Sequence, residues 1–267
     1  MVKKDSKIHK SFRRSYRKDY KRELNIPGVG AQIADSFRLI LVNWGVFLPL
    51  LLITVGISWL TIGTEGILDE TTEVFGSIVF LVIWLTTIFL LRHIMAGHEV
   101  GIRDGLYNAM TPLVSTFIVL AVAIVQSIPI IVLIIAYSAA IETGFLTLPF
   151  YALLFFGFAL VMIVLSGYLL SSTLMALVAV TVPGMYPMKA LKMASDLMMG
   201  RRMKFVLRLI ALVFVIAVIW GVLVVPLVMI KAPSLLVSIM VMIVACFSAI
   251  YLTTYLYVYY RYLLDDK

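Results

Sequence analysis

Residues 149–182 read PFYALLFFGFALVMIVLSGYLLSSTLMALVAVTV, 34 positions without an Asp, Glu, Lys, Arg or His. As one α-helix the stretch is roughly 50 Å long, whereas the hydrocarbon core of a bilayer is about 30 Å thick. It is therefore either one long tilted crossing or two short ones, and the choice fixes how many times the chain crosses. Splitting it would place the cationic segment that follows, Lys189 to Arg208, on the outer side. That contradicts the retention of Lys and Arg on the cytoplasmic side of membranes. We read a single tilted helix, bent near Ser166-Gly167, whose cytoplasmic end projects beyond the bilayer.

The rest of the chain has the same character. Hydrophobic residues make up 63% of it and charged residues 13%, against about half and a quarter in globular domains, so water is not its main solvent. Further apolar runs lie at about 45–62, 74–92, 112–138, 205–230 and 234–259, which with 148–181 makes six spans. Lipid offers no partner to an unpaired peptide group, so uninterrupted runs of this length must be helical. The fold class expected is all-α: a polytopic integral membrane protein with six transmembrane helices. The divisions expected are a basic N-terminal segment at 1–27, a membrane domain at 28–260 and a short tail at 261–267. The first apolar run begins more than 40 residues in and lacks a small-residue cleavage site, so it reads as a retained anchor. The lone cysteine, Cys246, excludes an intramolecular disulfide and reads as a small packing residue.

Charge orients the spans. With the N-terminus inside, the inner segments hold 21 of the 22 Lys and Arg residues, and the outer loops hold only Lys231. The first outer loop carries Glu65, Asp69, Glu70 and Glu73. The expected location is thus the cytoplasmic membrane with both termini cytoplasmic.

Three segments with helical spacing, IADSFRLILVNW, GIRDGLYNAM and YPMKALKMASDLMMGRRM, lie on the inner side and each leads into an odd-numbered span. In the first, Ile33, Phe37, Ile40 and Leu41 share a face, away from Asp35, Arg38 and Asn43; in the third, Met188, Leu191, Ala194, Leu197 and Met198 oppose Lys189, Lys192 and Asp196. They read as interfacial amphipathic elbow helices, each followed by a two-span hairpin, in a weak threefold repeat. With its KALKMASDLMMGRR segment at 189–202, this pattern resembles the glycerophosphodiester phosphodiesterase membrane-domain superfamily across about 28–260. In the enzymes of that superfamily, chemistry resides in a separate soluble barrel. The resemblance therefore implies a stand-alone membrane module.

The run KIHKSFRRSYRKDYKRE at 7–23 sets Ile8, Phe12, Tyr16 and Tyr20 four apart within a coat of Arg13, Arg14, Arg17, Lys18, Lys21 and Arg22. Attachment to anionic inner-leaflet headgroups suits it, at about 1 kcal/mol per cation, and so does a plain topology signal on a disordered tail. Nucleic acid is not expected, because no recognised binding motif accompanies the charge. The elbow cations Lys189, Lys192, Arg201, Arg202 and Lys204 extend the same basic face.

Other motifs are weaker. His93 and His98 stand five apart, unlike the i, i+4 pair of zinc helices, and read as a solvated or interfacial pair; Glu99 and Arg103 can pair on a helix surface. Within the spans, Gln126, Ser166, Ser171, Ser172 and Thr173 either line a polar cavity or allow close helix packing. Arg208, near the inner end of the fifth span, is expected to snorkel. Pro129, Pro226 and Pro233 bend or end spans. No nucleotide loop and no activated nucleophile is present, so neither an enzyme nor a cofactor is expected. The leading expectation is a non-enzymatic inner-membrane protein whose basic face binds anionic lipid or an acidic partner, alone or as a homo-oligomer, and organises an envelope complex. The alternative is a small-molecule or lipid transporter with a cavity between the third and fourth spans.

Overall fold

The computed structural model describes residues 27–63, 69–98, 101–231 and 233–265, with the side chains of 61–75 and 146 outside the description. The fold is all-α, as the apolar runs require. Its helices are α1 (Val29–Val42), α2 (Trp44–Gly63), α3 (Asp69–Met95), α4 (Ile102–Ala109), α5 (Leu113–Gln126), α6 (Ile128–Glu142), α7 (Pro149–Ala179), α8 (Pro187–Met198), α9 (Arg202–Leu223), α10 (Val225–Met229) and α11 (Ser234–Asp265). By length and hydropathy, four helical segments can cross a membrane: the Gly76–Met95 part of α3, α7, the Arg202–Met229 run and α11. The total reaches six when α1 with α2, and α4 with α5, are each taken as one bent span. The chain is thus a polytopic membrane protein.

The 149–182 stretch forms one helix of 31 residues, continuous through Ser166-Gly167. Its two halves differ in surroundings. Leu153 and Phe156 near its start are 70% and 67% exposed, whereas Met175 to Val180 are almost wholly buried. The far end is therefore not left to lipid or water. It is sheathed by other helices. The third expected span is two helices broken at Ser127, and the fifth is broken at Val224. In both cases a proline, Pro129 or Pro226, stands second in the following helix. Its missing N–H removes one rung of the hydrogen-bond ladder and its ring crowds the preceding turn.

The three elbows are present as α1, α4 and α8. The chain turns by 88° between α1 and α2, and by 65° between α4 and α5. Each elbow docks on the second span of a hairpin: α4 on α3, α8 on α7, and α1 on α11. Because α1 begins the chain's first unit and α11 ends its last, the docking pattern closes on itself. This cyclic order is the structural form of the repeat.

Which faces dock differs from the expected stripes. On α1 the buried positions are Gln32, Ser36 and Ile40, while Phe37 and Leu41 are exposed. On α4 they are Gly105 and Ala109, with Leu106, Tyr107 and Met110 exposed. On α8 Ala190 faces inward with Ala194, Leu197 and Met198, and Met188 is exposed. The physical reason is close approach. A Cβ added at Gly105 would stand 3.1 Å from Leu90 Cδ2. Small side chains let each elbow lie against a span, and its bulky apolar residues are left to the surrounding membrane.

Candidate functional site

The best-buried part of the molecule is the last half of α11, where every residue from Thr253 to Tyr260 is buried. The sequence there, YLTTYLYVYYRY, sets Tyr251, Tyr255 and Tyr259 four apart on one face, with Tyr257 and Tyr260 on another. Phe205 stacks on Tyr259 with ring centres 5.0 Å apart, and Phe37 meets Tyr251 edge to face. Tyr251 donates to the Ile33 carbonyl at 3.0 Å and Tyr262 to Asp35 at 2.9 Å, so the helix ties α1 in place.

Two arginine sites flank this helix. On the α1 side, Arg208 Nη1 donates to Gln32 Oε1 at 2.7 Å and its guanidinium lies 5.4 Å from the Tyr259 ring centre. Arg208 does not snorkel outward as expected, because a buried amide and an aromatic face compete for it inside. Gln32 is fully buried, and with its oxygen held by Arg208 its Nε2 has no acceptor among the described residues. On the other side, the C-terminal ends of three second spans meet. Arg92 of α3 donates from Nη2 to the Thr181 carbonyl at 2.6 Å and to the Thr181 hydroxyl at 2.7 Å, beyond the end of α7. Arg92 also bonds the Tyr257 side chain, and the charges of Arg92 and of Arg261 on α11 both act on Tyr257 and Tyr260. Arg261 Nε is buried without an acceptor among the described residues. The helix carrying it continues past Tyr260 to Asp265, with Leu263 buried.

Of the expected basic surface, Lys189, Lys192 and Lys204 are exposed. Arg201 and Arg202 are half-buried. Arg202 turns inward, donating to Ser195 Oγ at 3.0 Å and covering the Tyr168 ring at 4.9 Å. Arg13, Arg14, Arg17, Lys18, Lys21 and Arg22 lie outside the described residues, as do Glu65 and Glu99. Beside the exposed lysines, Tyr186, Met188 and Met199 are each more than 70% exposed.

The polar seam of the third and fourth spans is a set of hydrogen bonds. Thr173 Oγ1 donates to Gln126 Oε1, and Ser166 Oγ stands 3.5 Å from the Gln126 carbonyl. Ser171 and Ser172 bond back to the carbonyls of Tyr168 and Leu169 in their own helix. His93 Nδ1 lies 3.0 Å from the Phe89 carbonyl, and the His93 and His98 rings are 6.4 Å apart. Among the described residues no group of three or more His, Cys, Asp or Glu is placed to hold a metal. Cys246 is buried, with its sulfur 3.8 Å from Ser58 Oγ.

The site was missed in the sequence because its arginines stand near span ends, where they read as loop charges. The tyrosine spacing of α11 was the available signal. The fold and site together define a polytopic all-α membrane protein with four to six helices that can cross a membrane. Comparison with protein-family models, curated proteins and solved structures finds no match.

Proposed function

We propose that this is a non-enzymatic inner-membrane protein whose elbow face is cytoplasmic and binds anionic phospholipid. The observation that carries the reading is on the third elbow, where exposed Lys189, Lys192 and Lys204 stand among exposed Tyr186, Met188, Met199 and Met203. Aromatic and apolar side chains seek the headgroup boundary, and each cation beside an anionic leaflet adds about 1 kcal/mol. The exposed apolar residues of α1 and α4 give the other two elbows the same preference for the interface. The N-terminal basic run supplies further cations to the same face if its orientation follows the charge rule. In this reading the protein is a membrane module, as its resemblance to the glycerophosphodiester phosphodiesterase membrane domains implies, and it organises an envelope complex at that surface.

The test is binding of the purified full chain, in nanodiscs of neutral lipid, to vesicles containing phosphatidylglycerol. Wild type should bind more weakly as salt rises, because screening shortens the reach of surface charge. The Lys189→Gln, Lys192→Gln, Lys204→Gln variant should bind several-fold less at low salt. Equal, salt-insensitive binding by both would overturn the assignment of this elbow.

A further inference from the structure

The second elbow carries its charges differently from the third. On the outward flank of α4, Arg103, Asp104, Leu106, Tyr107 and Met110 line an open cleft of about 530 Å³. The helical period explains the set. Arg103, Leu106, Tyr107 and Met110 stand three or four apart on one face, and Asp104 stands three before Tyr107 at its edge. The opposite face is taken up by docking, with Gly105 against Leu90 of α3 and Ala109 buried with Leu81 and Leu85. All five lining residues are exposed, so the cleft opens to its surroundings. One cation and one anion thus face a single space, and no ion pair joins Arg103 to Asp104 among the described residues. On the third elbow the exposed charges Lys189, Lys192 and Lys204 are all positive.

A ligand suited to this cleft carries an anion and a cation close together and an apolar part for Leu106 and Met110. Phospholipids differ in how well they meet that demand. Phosphatidylglycerol offers Arg103 its phosphate but sets nothing positive against Asp104. Phosphatidylcholine sets a cation there, yet its quaternary nitrogen has no N–H to donate. Phosphatidylethanolamine supplies a phosphate, a primary ammonium with three donors, and acyl chains. We propose that the cleft binds the zwitterionic headgroup of phosphatidylethanolamine. The Arg103 fork holds the phosphate, Asp104 accepts from the ammonium, and Leu106 and Met110 meet the upper part of a chain, with the Tyr107 ring at headgroup level. Charge complementarity carries the proposal, and it shares with the lipid reading only the premise that the elbows lie at the interface. The elbow face then sorts lipids by headgroup, anionic at the third elbow and amine-bearing at the second.

The experiment incubates the purified full chain in neutral detergent with equal amounts of phosphatidylethanolamine, phosphatidylcholine and phosphatidylglycerol of matched chains. Excess lipid is removed and the retained lipids are counted by mass spectrometry. Wild type should retain phosphatidylethanolamine over phosphatidylcholine about threefold to fivefold, the scale of one exposed charge pair. Asp104→Asn should abolish that excess and raise the retention of phosphatidylglycerol, because a repelling charge is gone. Arg103→Gln should lower phosphatidylethanolamine and phosphatidylcholine alike. Both positions are exposed, so the bundle should survive either change. Equal retention of the two zwitterionic lipids by wild type, or an excess unchanged in Asp104→Asn, overturns the proposal. Glu99→Gln should keep the excess; its loss there, with Asp104→Asn unaffected, would make Glu99 the acceptor and overturn the assignment to Asp104. The triple lysine variant separates the two ideas. It should lose vesicle binding and keep the excess, and loss of the excess there as well would return the ligand to the third elbow and overturn the cleft.

Discussion

Replacing Arg208 by Met should destabilise the bundle, and replacing its partner as well should recover much of the loss. Arg208 Nη1 holds Gln32 Oε1 at 2.7 Å, and Gln32 is fully buried with its Nε2 already lacking an acceptor among the described residues. The single variant Arg208→Met leaves both ends of that amide without a partner. Stranding a buried polar group costs about 1–3 kcal/mol, and a hydrogen bond to a charged group is itself worth about 1.5–3 kcal/mol. In membranes the measured coupling between such partners is smaller, averaging about 0.6 and reaching about 1.7 kcal/mol, because the unfolded helices also find polar partners. The environment here is a tyrosine-lined interior behind an interfacial helix, so we expect a coupling near the upper end, about 1–2 kcal/mol. The assay is a double-mutant cycle of Arg208→Met and Gln32→Leu, with stability measured by mixed-micelle unfolding of the full chain. The double variant should lose less stability than the sum of the two single losses. Strict additivity, within about 0.3–0.5 kcal/mol, would refute the idea that the amide and guanidinium depend on each other.

Gly105→Leu should undock the second elbow or cost about 1–3 kcal/mol by overpacking, because even a bare Cβ there meets Leu90 at 3.1 Å and Thr86 at 3.4 Å; mixed-micelle unfolding measures it, and a neutral result would show that α4 is not held against α3. Thr181→Val removes one of the two acceptors of Arg92 Nη2 and should cost about 1 kcal/mol in the same assay, with the carbonyl contact retained. Tyr251→Phe loses the bond to the Ile33 carbonyl while keeping the ring contacts, and should cost about 0.5–1.5 kcal/mol; a larger loss would mean that the hydroxyl does more than tie α1 to α11.

The spans were legible because a run such as 149–182 admits one solution in lipid, a helix that satisfies its own backbone. Positions of the elbows were legible for a related reason: short polar-apolar mixtures beside long apolar runs belong at the interface. Which side of each elbow docks was not. Phe37 and Met188 have the hydrophobicity of core residues, but beside a bilayer an apolar side chain gains as much from lipid as from protein, so size decides and Gly105, Ala109, Ala190 and Ala194 take the inward places. The arginine sites were hidden by the opposite problem. Arg92, Arg208 and Arg261 serve the charge rule equally well whether they point to solvent or inward, and only the meeting of distant segments, such as Arg92 with Thr181 or Arg208 with Gln32, distinguishes the cases. The Ser and Thr residues of the fourth span suited a cavity and a packed seam alike in the sequence; in the structure Thr173 and Ser166 are spent on Gln126.

The lipid reading requires that the three elbows share one side of the membrane and that this side is cytoplasmic. In a Cys246→Ala background, single cysteines at Asp35, Tyr107 and Lys189 should react with a membrane-impermeant maleimide only after the cytoplasmic side is opened, whereas cysteines at Gly144 and Lys231 should react in intact cells. Labelling of any elbow position from the same side as Lys231 would contradict the threefold arrangement and remove the common surface on which the lipid reading stands.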